Sequence, residues 1–209
     1  PSQPSFKRVY RVRGVKAWMP AFMLFVYAVS FSFAYTSLDA GTGALLLFGV
    51  VQLTMIGWSV ARGQGLSVLE VCGVLISFSG LIYLFYPHLS SPSFLNTGLM
   101  VLSGFAWGVY SLMGRGSQEP LQDTSISFLR TLPLVFTLLV FAIPFMMITL
   151  KGVILAVVSG ALASALGYAI WYRALSGLSE TEAAVVQLSV PVVASVGGVL
   201  FITESLSLR

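Results

Sequence analysis

Residues 42–61 read TGALLLFGVVQLTMIGWSVA, a run without a charged side chain and with one amide, Gln52, near its middle. About twenty residues of α-helix, at a rise of about 1.5 Å each, cross the roughly 30 Å of hydrocarbon in a bilayer. Six further apolar runs lie at 18–35, 68–86, 95–113, 126–150, 153–174 and 183–203. The sequence therefore predicts an all-α protein, a polytopic membrane helix bundle with seven transmembrane helices in this chain.

The composition of the whole chain agrees with that prediction. Of its 209 residues, 57% are hydrophobic and 9% are charged, whereas a soluble domain carries about a quarter charged residues to keep its surface wetted. The single cysteine, Cys72, and the single histidine, His88, exclude an intramolecular disulfide and leave too few ligands for a Cys/His zinc site. We therefore expect no metal site, no cofactor and no catalytic residue.

Basic residues are sorted along the chain in a way that predicts its orientation. Five of the eleven lie in the first sixteen positions, directly before the first apolar run, which favours a cytoplasmic arm at an anionic lipid surface over a nucleic-acid site. With that arm inside, the loops that carry Arg62, Arg115 and Arg173 are also inside, and only Lys151 and Arg209 are outside. This bias predicts a multi-pass protein of the inner (plasma) membrane whose partner is the lipid bilayer.

The chain also contains an internal repeat. The segment YTSL at 35–38 and the segment YRAL at 172–175 each precede a polar turn, at an offset of 137 residues, and the spans that follow align at Thr42 and Thr181, at an offset of 139. The equivalent runs are the second and the seventh, so the two copies cross in opposite directions. Inverted repeats are typical of secondary transporters, because exchanging the conformations of two halves opens a central site to either side.

Several longer stretches resemble a known family. The segments GYAIWYRAL at 167–175, EAAVVQLSVP at 182–191 and GVLFITE at 198–204 are similar to the second-half signature of EamA-type permeases of the drug/metabolite transporter superfamily, and AWGVYSLMGR at 106–115 is similar to the sixth helix of that family. The resemblance covers essentially the whole chain. It implies ten transmembrane helices in two inverted five-helix repeats, with a substrate cavity between the repeats.

On that template the chain supplies helices three to nine, and the first, second and tenth are missing. Residues 1–94 then form part of the first EamA repeat, and residues 95–209 form the second repeat without its last helix. Such a piece is not expected to transport by itself. The family often ends its fourth helix with a Gly-Glu pair, whereas this chain has RGQG at 62–65, so any role of that acid is not carried over.

The resemblance implies an integral membrane transporter that moves a small organic metabolite, such as an amino acid or drug-like compound, across the inner membrane by alternating access. The alternative is an intramembrane enzyme or an accessory membrane subunit without transport activity. An enzyme needs a convergent set of acid, base or nucleophile, and neither His88 nor Cys72 has an obvious carboxylate partner in the same layer. Besides the small-molecule metabolite and the bilayer, a second copy of the chain in a homodimer is a candidate partner; nucleic acid is not.

Seven residues are candidates for the substrate-binding site, because polar and amphipathic side chains in apolar spans either orient a solute or must find partners in the protein. They are Gln52, Trp107, Tyr110, Arg130, Tyr168, Trp171 and Gln187. Interhelical hydrogen bonds are the structural alternative for the two glutamines, and an interfacial aromatic belt is the alternative for Trp171. Arg130, about six residues into its run, either meets an anionic group or extends to the cytoplasmic interface.

Small residues at helical spacing predict where helices approach closely, because lipid gives helices no hydrophobic reason to associate. One such stripe is Ser159, Ala163 and Gly167. A second stripe in the third run is Gly73, Ser77 and Gly80.

Overall fold

The computed structural model of the protein describes residues 17–63, 68–85, 93–115, 117, 119–146, 148–187 and 189–202. In these ranges all regular structure is helical, which confirms the all-α prediction. The basic arm before residue 17, His88 and Arg209 lie outside the described residues. The helices are α1 (Met19–Ala34), α2 (Ala40–Ala61), α3 (Val68–Phe85), α4 (Phe94–Gly114), α5 (Pro120–Ala142), α6 (Leu150–Val158), α7 (Gly167–Leu175), α8 (Glu180–Gln187) and α9 (Ser189–Ile202), with a 3-10 turn at Ile143–Phe145 and a π-helical segment at Ser159–Leu166.

Five helical segments in the described part of the chain are long and apolar enough to cross a membrane. They are Ala40–Ala61, Phe94–Gly114, Pro120–Phe145, Leu150–Leu175 and Glu180–Phe201. Helices α1 and α3, which occupy the two other predicted runs, have 16 and 18 residues. The structure thus supports five spans by length and composition, where the sequence predicts seven. The ten-helix count stays a prediction.

Helix α5 begins six residues before the apolar run that predicts it. Its first turns are polar, and the side chains of Ser125 and Ser127 donate to the carbonyl oxygens of Leu121 and Asp123, both at 2.8 Å. A helix tolerates such residues because their hydroxyls bind carbonyls of the preceding turn, while a hydropathy pattern passes over them. Arg130 is therefore the eleventh residue of α5, about 15 Å along the axis from its start.

Helix α8 begins with a reciprocal capping box. The backbone N–H of Glu182 donates to Ser179 Oγ at 3.2 Å, and the backbone N–H of Ser179 donates to Glu182 Oε2 at 2.8 Å. This pattern satisfies two backbone donors that a helix start otherwise leaves unpaired. The cap determines where α8 begins, and Gln187 follows two turns later.

The described residues form two compact units. The first unit comprises those within Pro1–Phe25 and Met113–Gly177, and the second unit comprises those within Val26–Leu112 and Leu178–Arg209. The units do not coincide with the predicted halves 1–94 and 95–209. The division into halves describes which segments are equivalent in sequence, and the compact units describe packing. The two-repeat division therefore stays a prediction.

In the second unit, α2 packs against α8 and α9. Gly41, near the start of α2, lies so close to α9 that a methyl group on it would come within 2.6 Å of Ser195 Oγ. Met55, near the end of α2, lies with its Sδ 3.5 Å from Gln187 Nε2. Gly41 at the start of α2 thus lies near Ser195 in α9, whereas Met55 towards the end of α2 contacts Gln187 in α8. The two segments run antiparallel.

Helix α4 runs parallel to α2 in the same unit. A methyl group on Gly104 would lie 2.5 Å from the carbonyl oxygen of Leu47, and one on Gly108 would lie 2.9 Å from Thr54 Cβ. Residue numbers therefore increase together along the two helices. The chain between α2 and α4 has to return along their length, and α3 lies in that connection. These directions agree with the alternation expected if each run crosses the membrane.

Among the described residues, no helix approaches the glycines of the two predicted stripes. A Cβ atom added at Gly73, Gly80 or Gly167 would meet nothing within 4 Å among the described residues. The stripe that ends at Gly167 lies in and directly after the π-helical segment Ser159–Leu166, and its three residues are exposed in the described part of the chain. The side chain of Ser77 lies outside the described part.

In the first unit, α5 packs against α7. The rings of Phe128 and Tyr168 stack with their centroids 5.5 Å apart and an interplanar angle of 28°. Tyr172 is buried, and its ring lies directly against the Cα atom of Gly114, where a methyl group would collide with it. The aromatic residues of α7 therefore contact protein and do not all face outward as an interfacial belt would.

Candidate functional site

A row of polar and aromatic side chains follows one face of α4. Ser103, Trp107, Tyr110 and Ser111 have the three- and four-residue spacing that places side chains on one side of a helix, and all four are buried. The hydroxyl of Ser103 donates to the backbone carbonyl of Tyr27 in α1 at 3.1 Å. The buried face of α4 therefore carries several polar groups, in a helix that is apolar enough to span a bilayer.

Trp107 and Gln187 join α4 to α8. The indole Nε1–H of Trp107 donates to Gln187 Oε1 at 2.6 Å, and both side chains are buried. The Gln187 Nε2 atom donates to the carbonyl oxygen of Ala183 at 3.2 Å and lies 3.5 Å from Met55 Sδ in α2. The interhelical hydrogen bond predicted for Gln187 is thus confirmed, and this side chain bridges three helices.

Aromatic rings hold the indole of Trp107 in place. Its ring centroid lies 4.9 Å from that of Tyr27 and 5.6 Å from that of Tyr110, with interplanar angles of 40° and 35°. Tilted ring pairs at such separations are favourable contacts and restrict side-chain rotation. These two ring contacts restrict the indole whose N–H donates to Gln187.

Gln52 differs from Gln187 in its hydrogen bonding. It is the thirteenth of the 22 residues of α2, and its side chain is 0% exposed. Neither Oε1 nor Nε2 of Gln52 has a hydrogen-bond partner among the described residues. The interhelical hydrogen bond that the sequence suggests for Gln52 is therefore not formed among the described residues.

A buried amide without partners is costly. Each unsatisfied donor or acceptor costs about 1–3 kcal/mol relative to its hydrated state, and the penalty is larger where no water competes, as in a bilayer core. Gln52 lies one turn before Met55, so it shares the face of α2 that Gln187 reaches. We call Gln52, Trp107, Tyr110 and Gln187 the polar cluster.

The polar cluster contains no ionisable acid or base apart from the phenol of Tyr110. Among the buried described residues of the chain, Glu180 carries the one charged side chain. It is the first residue of α8, about 10 Å along the helix axis from Gln187. No group of three or more His, Cys, Asp and Glu side chains that could hold a metal ion occurs in the described ranges. The chemistry available in the cluster is hydrogen bonding by neutral groups and contact with aromatic rings.

The other three candidates belong to the first unit. Arg130 donates a hydrogen bond from Nη1 to the backbone carbonyl of Ala17, just before α1. Tyr168 stacks on Phe128 as described, and Trp171 is half-buried. The structure therefore brings four of the seven sequence candidates into one unit and places Arg130, Tyr168 and Trp171 in the other.

The contact of Arg130 supports the interfacial alternative for this residue. Ala17 directly follows the basic arm that the charge pattern assigns to the cytoplasmic surface, and a long arginine side chain reaches such a surface from within a span. The same contact gives the guanidinium a protein acceptor at the beginning of α1. Arg130 thus links α5 to the residue two positions before α1, within the first unit.

We expect Arg130→Met to lower the thermal midpoint of the complete protein by a few degrees, because the variant keeps the apolar stem and loses the charge-assisted hydrogen bond to Ala17. Arg173→Met, at an exposed position of α7, is the matched control and should leave the midpoint unchanged. Fluorescence-detected thermal unfolding in detergent measures both. An unchanged midpoint for Arg130→Met together with loss of solute uptake would instead support an anion-binding role.

Sequence reasoning missed three residues that shape the cluster: Tyr27, Met55 and Ser103. Their side chains or carbonyls make contacts between helices, and no sequence pattern predicts those contacts. One signal was present, since GFAWG at 104–108 has the GxxxG spacing that allows two helices to approach closely. That spacing identifies α4 as the helix whose backbone lies against α2.

Comparison with known proteins adds the family. A profile of the EamA-like transporter family matches residues 97–209, which include Trp107, Tyr110 and Gln187. The chain belongs to the EamA-like transporter family. This agrees with the resemblance noted in the sequence, and membership places the chain among membrane transporters of the drug/metabolite type. Together with the apolar helices, it identifies a multi-pass membrane protein.

Two relatives support the assignment to the EamA-like family. An uncharacterized protein of Pseudomonas aeruginosa is 47% identical over 192 residues, which are 92% of this chain and 67% of the relative. A protein of Archaeoglobus fulgidus described as an uncharacterized transporter is 23% identical over 176 residues, which are 78% of this chain and 59% of the relative. The chain thus spans about two thirds or less of these relatives. No solved structure gives a significant match.

Proposed function

We propose that the complete EamA-family protein moves a small organic metabolite, such as an amino acid or drug-like compound, across the inner membrane by alternating access, and that the polar cluster contributes to its solute site. The observation that carries this proposal is Gln52, fully buried halfway along an apolar helix with both amide atoms unpaired among the described residues. A membrane protein tolerates such a group where it serves a function.

The packing of α2 on the α8–α9 segment supports the same proposal. These are the two segments that the internal repeat makes equivalent, and they run antiparallel, as two copies related by a twofold axis in the membrane plane do. Under the repeat offset of 139, Gln52 corresponds to Pro191, a helix position without a backbone donor. Solute sites in transporters with inverted repeats lie near the midplane, where the two copies meet.

The polar cluster contains groups that are bonded to each other and groups that are available to a solute. Gln187 and Trp107 bond to each other and hold α4 and α8 in register near α2. Gln52 offers a donor and an acceptor that this arrangement does not use. In alternating access, a solute that binds near Gln52 would be held by α2 of the first repeat and by α4 and α8 of the second.

The experiment that tests transport uses the complete gene product in proteoliposomes. Uptake of a panel of radiolabelled amino acids, sugars and small amides is measured with and without the unlabelled solute inside. We expect saturable uptake of at least one solute, accelerated by internal substrate, as counterflow through a carrier requires. Liposomes that take up no solute faster than protein-free liposomes would contradict the proposal and favour an enzyme or an accessory subunit.

The orientation gives a prediction of its own. In a Cys72→Ser background, Asp39→Cys, between α1 and α2, should react with an impermeant maleimide from the periplasmic side. Gly177→Cys, between α7 and α8, should react only after permeabilisation, because it lies beside the basic loop of Arg173. Labelling of whole cells and of inverted vesicles measures both. The reverse pattern would overturn the orientation.

A further inference from the structure

We propose that the polar cluster selects an uncharged solute that carries a hydrogen-bond donor and an acceptor side by side, as a carboxamide or a nucleobase edge does, and that Gln52 recognises this pair. The inference rests on the proposed transport function and names the substrate class for it. It follows from which groups of the cluster are already bonded, from the charge around them and from the geometry of an amide.

The two glutamines of the cluster differ in their hydrogen bonding. Gln187 has its oxygen bonded to Trp107 and its nitrogen bonded to the carbonyl of Ala183, so it positions the indole and α8. Gln52, by contrast, has neither atom bonded among the described residues. Its side chain presents one acceptor oxygen and one NH₂ group on the same carbon. A second amide in the same plane pairs with both through two parallel hydrogen bonds of about 2.9 Å.

Charged head groups match Gln52 less well, for a reason of bonding. A carboxylate accepts from Nε2, but it places a second negative oxygen opposite Oε1, which is also an acceptor. An ammonium donates to Oε1 and leaves Nε2 without an acceptor. A neutral amide is the head group that satisfies both atoms, and each atom left unsatisfied in a buried site costs about 1–3 kcal/mol.

The electrostatic surroundings add to that preference. A buried ion needs a counter-charge to offset its lost hydration, and Glu180 is the one charged side chain among the buried described residues. It lies at the beginning of α8, about 10 Å from Gln187 along the axis, so it does not contact the amide of Gln187. The rings of Trp107 and Tyr110 provide a flat apolar surface, which suits a planar body behind the amide.

The test compares three probes of nearly equal shape: benzamide, which is neutral, benzoate, which is anionic, and benzylamine, which is cationic at pH 7. Each probe competes, in proteoliposomes of the complete protein, with whichever panel solute is transported. We expect an inhibition constant for benzamide at least tenfold below those of the two charged probes. Equal or stronger inhibition by benzoate or benzylamine would overturn the amide preference, although transport of the panel solute would still stand.

A variant tests the residue itself. Gln52→Leu should raise the inhibition constant of benzamide at least tenfold and leave benzoate unchanged, because only the amide loses two hydrogen bonds. The thermal midpoint of this variant should stay the same or rise, since it removes an unpaired buried amide. Leu53→Ala, on the exposed side of the same helix, is the control and should not change benzamide inhibition. A lower midpoint with unchanged benzamide inhibition for Gln52→Leu would mean that Gln52 is a packing element.

Discussion

Gly104→Ala is expected to lower the stability of the complete protein by about 1–3 kcal/mol, because the added methyl group overpacks the contact between α4 and α2. It would lie 2.5 Å from the carbonyl oxygen of Leu47 and 2.9 Å from Val50 Cβ. The first of these atoms belongs to a helix backbone and cannot rotate away. Thermal unfolding and the yield of monodisperse protein in detergent measure the loss.

The control for this variant lies on the same helix. Gly98→Ala adds a methyl group that meets nothing within 4 Å among the described residues, so it should be neutral or slightly stabilising, since alanine favours a helix by up to about 1 kcal/mol over glycine. The two substitutions are chemically identical, but only Gly104→Ala should lower the stability. Equal effects at both positions would show that Gly104 does not carry the close approach of α4 to α2.

Gln187→Leu is expected to cost about 1–3 kcal/mol, because it leaves the buried indole N–H of Trp107 without its acceptor. Trp107→Phe removes that donor along with part of the ring, and it costs stability through the space it leaves. The double variant should be more stable than the sum of the single effects, since neither remaining group then needs a partner. The free energies of unfolding of the four proteins define the coupling.

The four proteins form a double-mutant cycle, and its coupling free energy tests the bond between Trp107 and Gln187. A coupling of about 0.5–3 kcal/mol is typical of groups in one hydrogen-bonded network, and additive effects would contradict the bond between Trp107 and Gln187. Val186→Ala, at the exposed position before Gln187, is the control for changes to α8 itself. Solute uptake should fall in Gln187→Leu, because the indole of Trp107 loses the hydrogen bond that orients it within the polar cluster.

Part of the site could be predicted from the sequence because it depends on composition. Polar side chains in runs as apolar as 42–61 are few, and each has to bond to protein or to a ligand. This reasoning selects Gln52 and Gln187, and the apolar runs select the helices that carry them. It cannot tell which of the two is bonded, since that depends on Trp107, 80 residues before Gln187 in the chain.

The close helix contacts show the opposite case. The stripe of small residues that ends at Gly167 is the more regular pattern, yet its residues are exposed and its glycine has nothing within 4 Å in the described part of the chain. Gly104 and Gly108 have the same spacing and lie against α2. A small residue permits a close helix contact, but the contact forms only where a second helix runs past that residue.

The sequence by itself determined that this chain is helical, crosses a membrane several times and belongs with EamA-type transporters, because apolar run length and segment similarity are local properties of the chain. Only the tertiary structure decided that Arg130 bonds to the carbonyl of Ala17, that Gln187 bonds to Trp107, and that neither amide atom of Gln52 has a partner among the described residues. Those differences arise from which helices become neighbours. In a bilayer, shape complementarity and hydrogen bonds between distant residues determine which helices pack together, because lipid solvates every apolar face equally well.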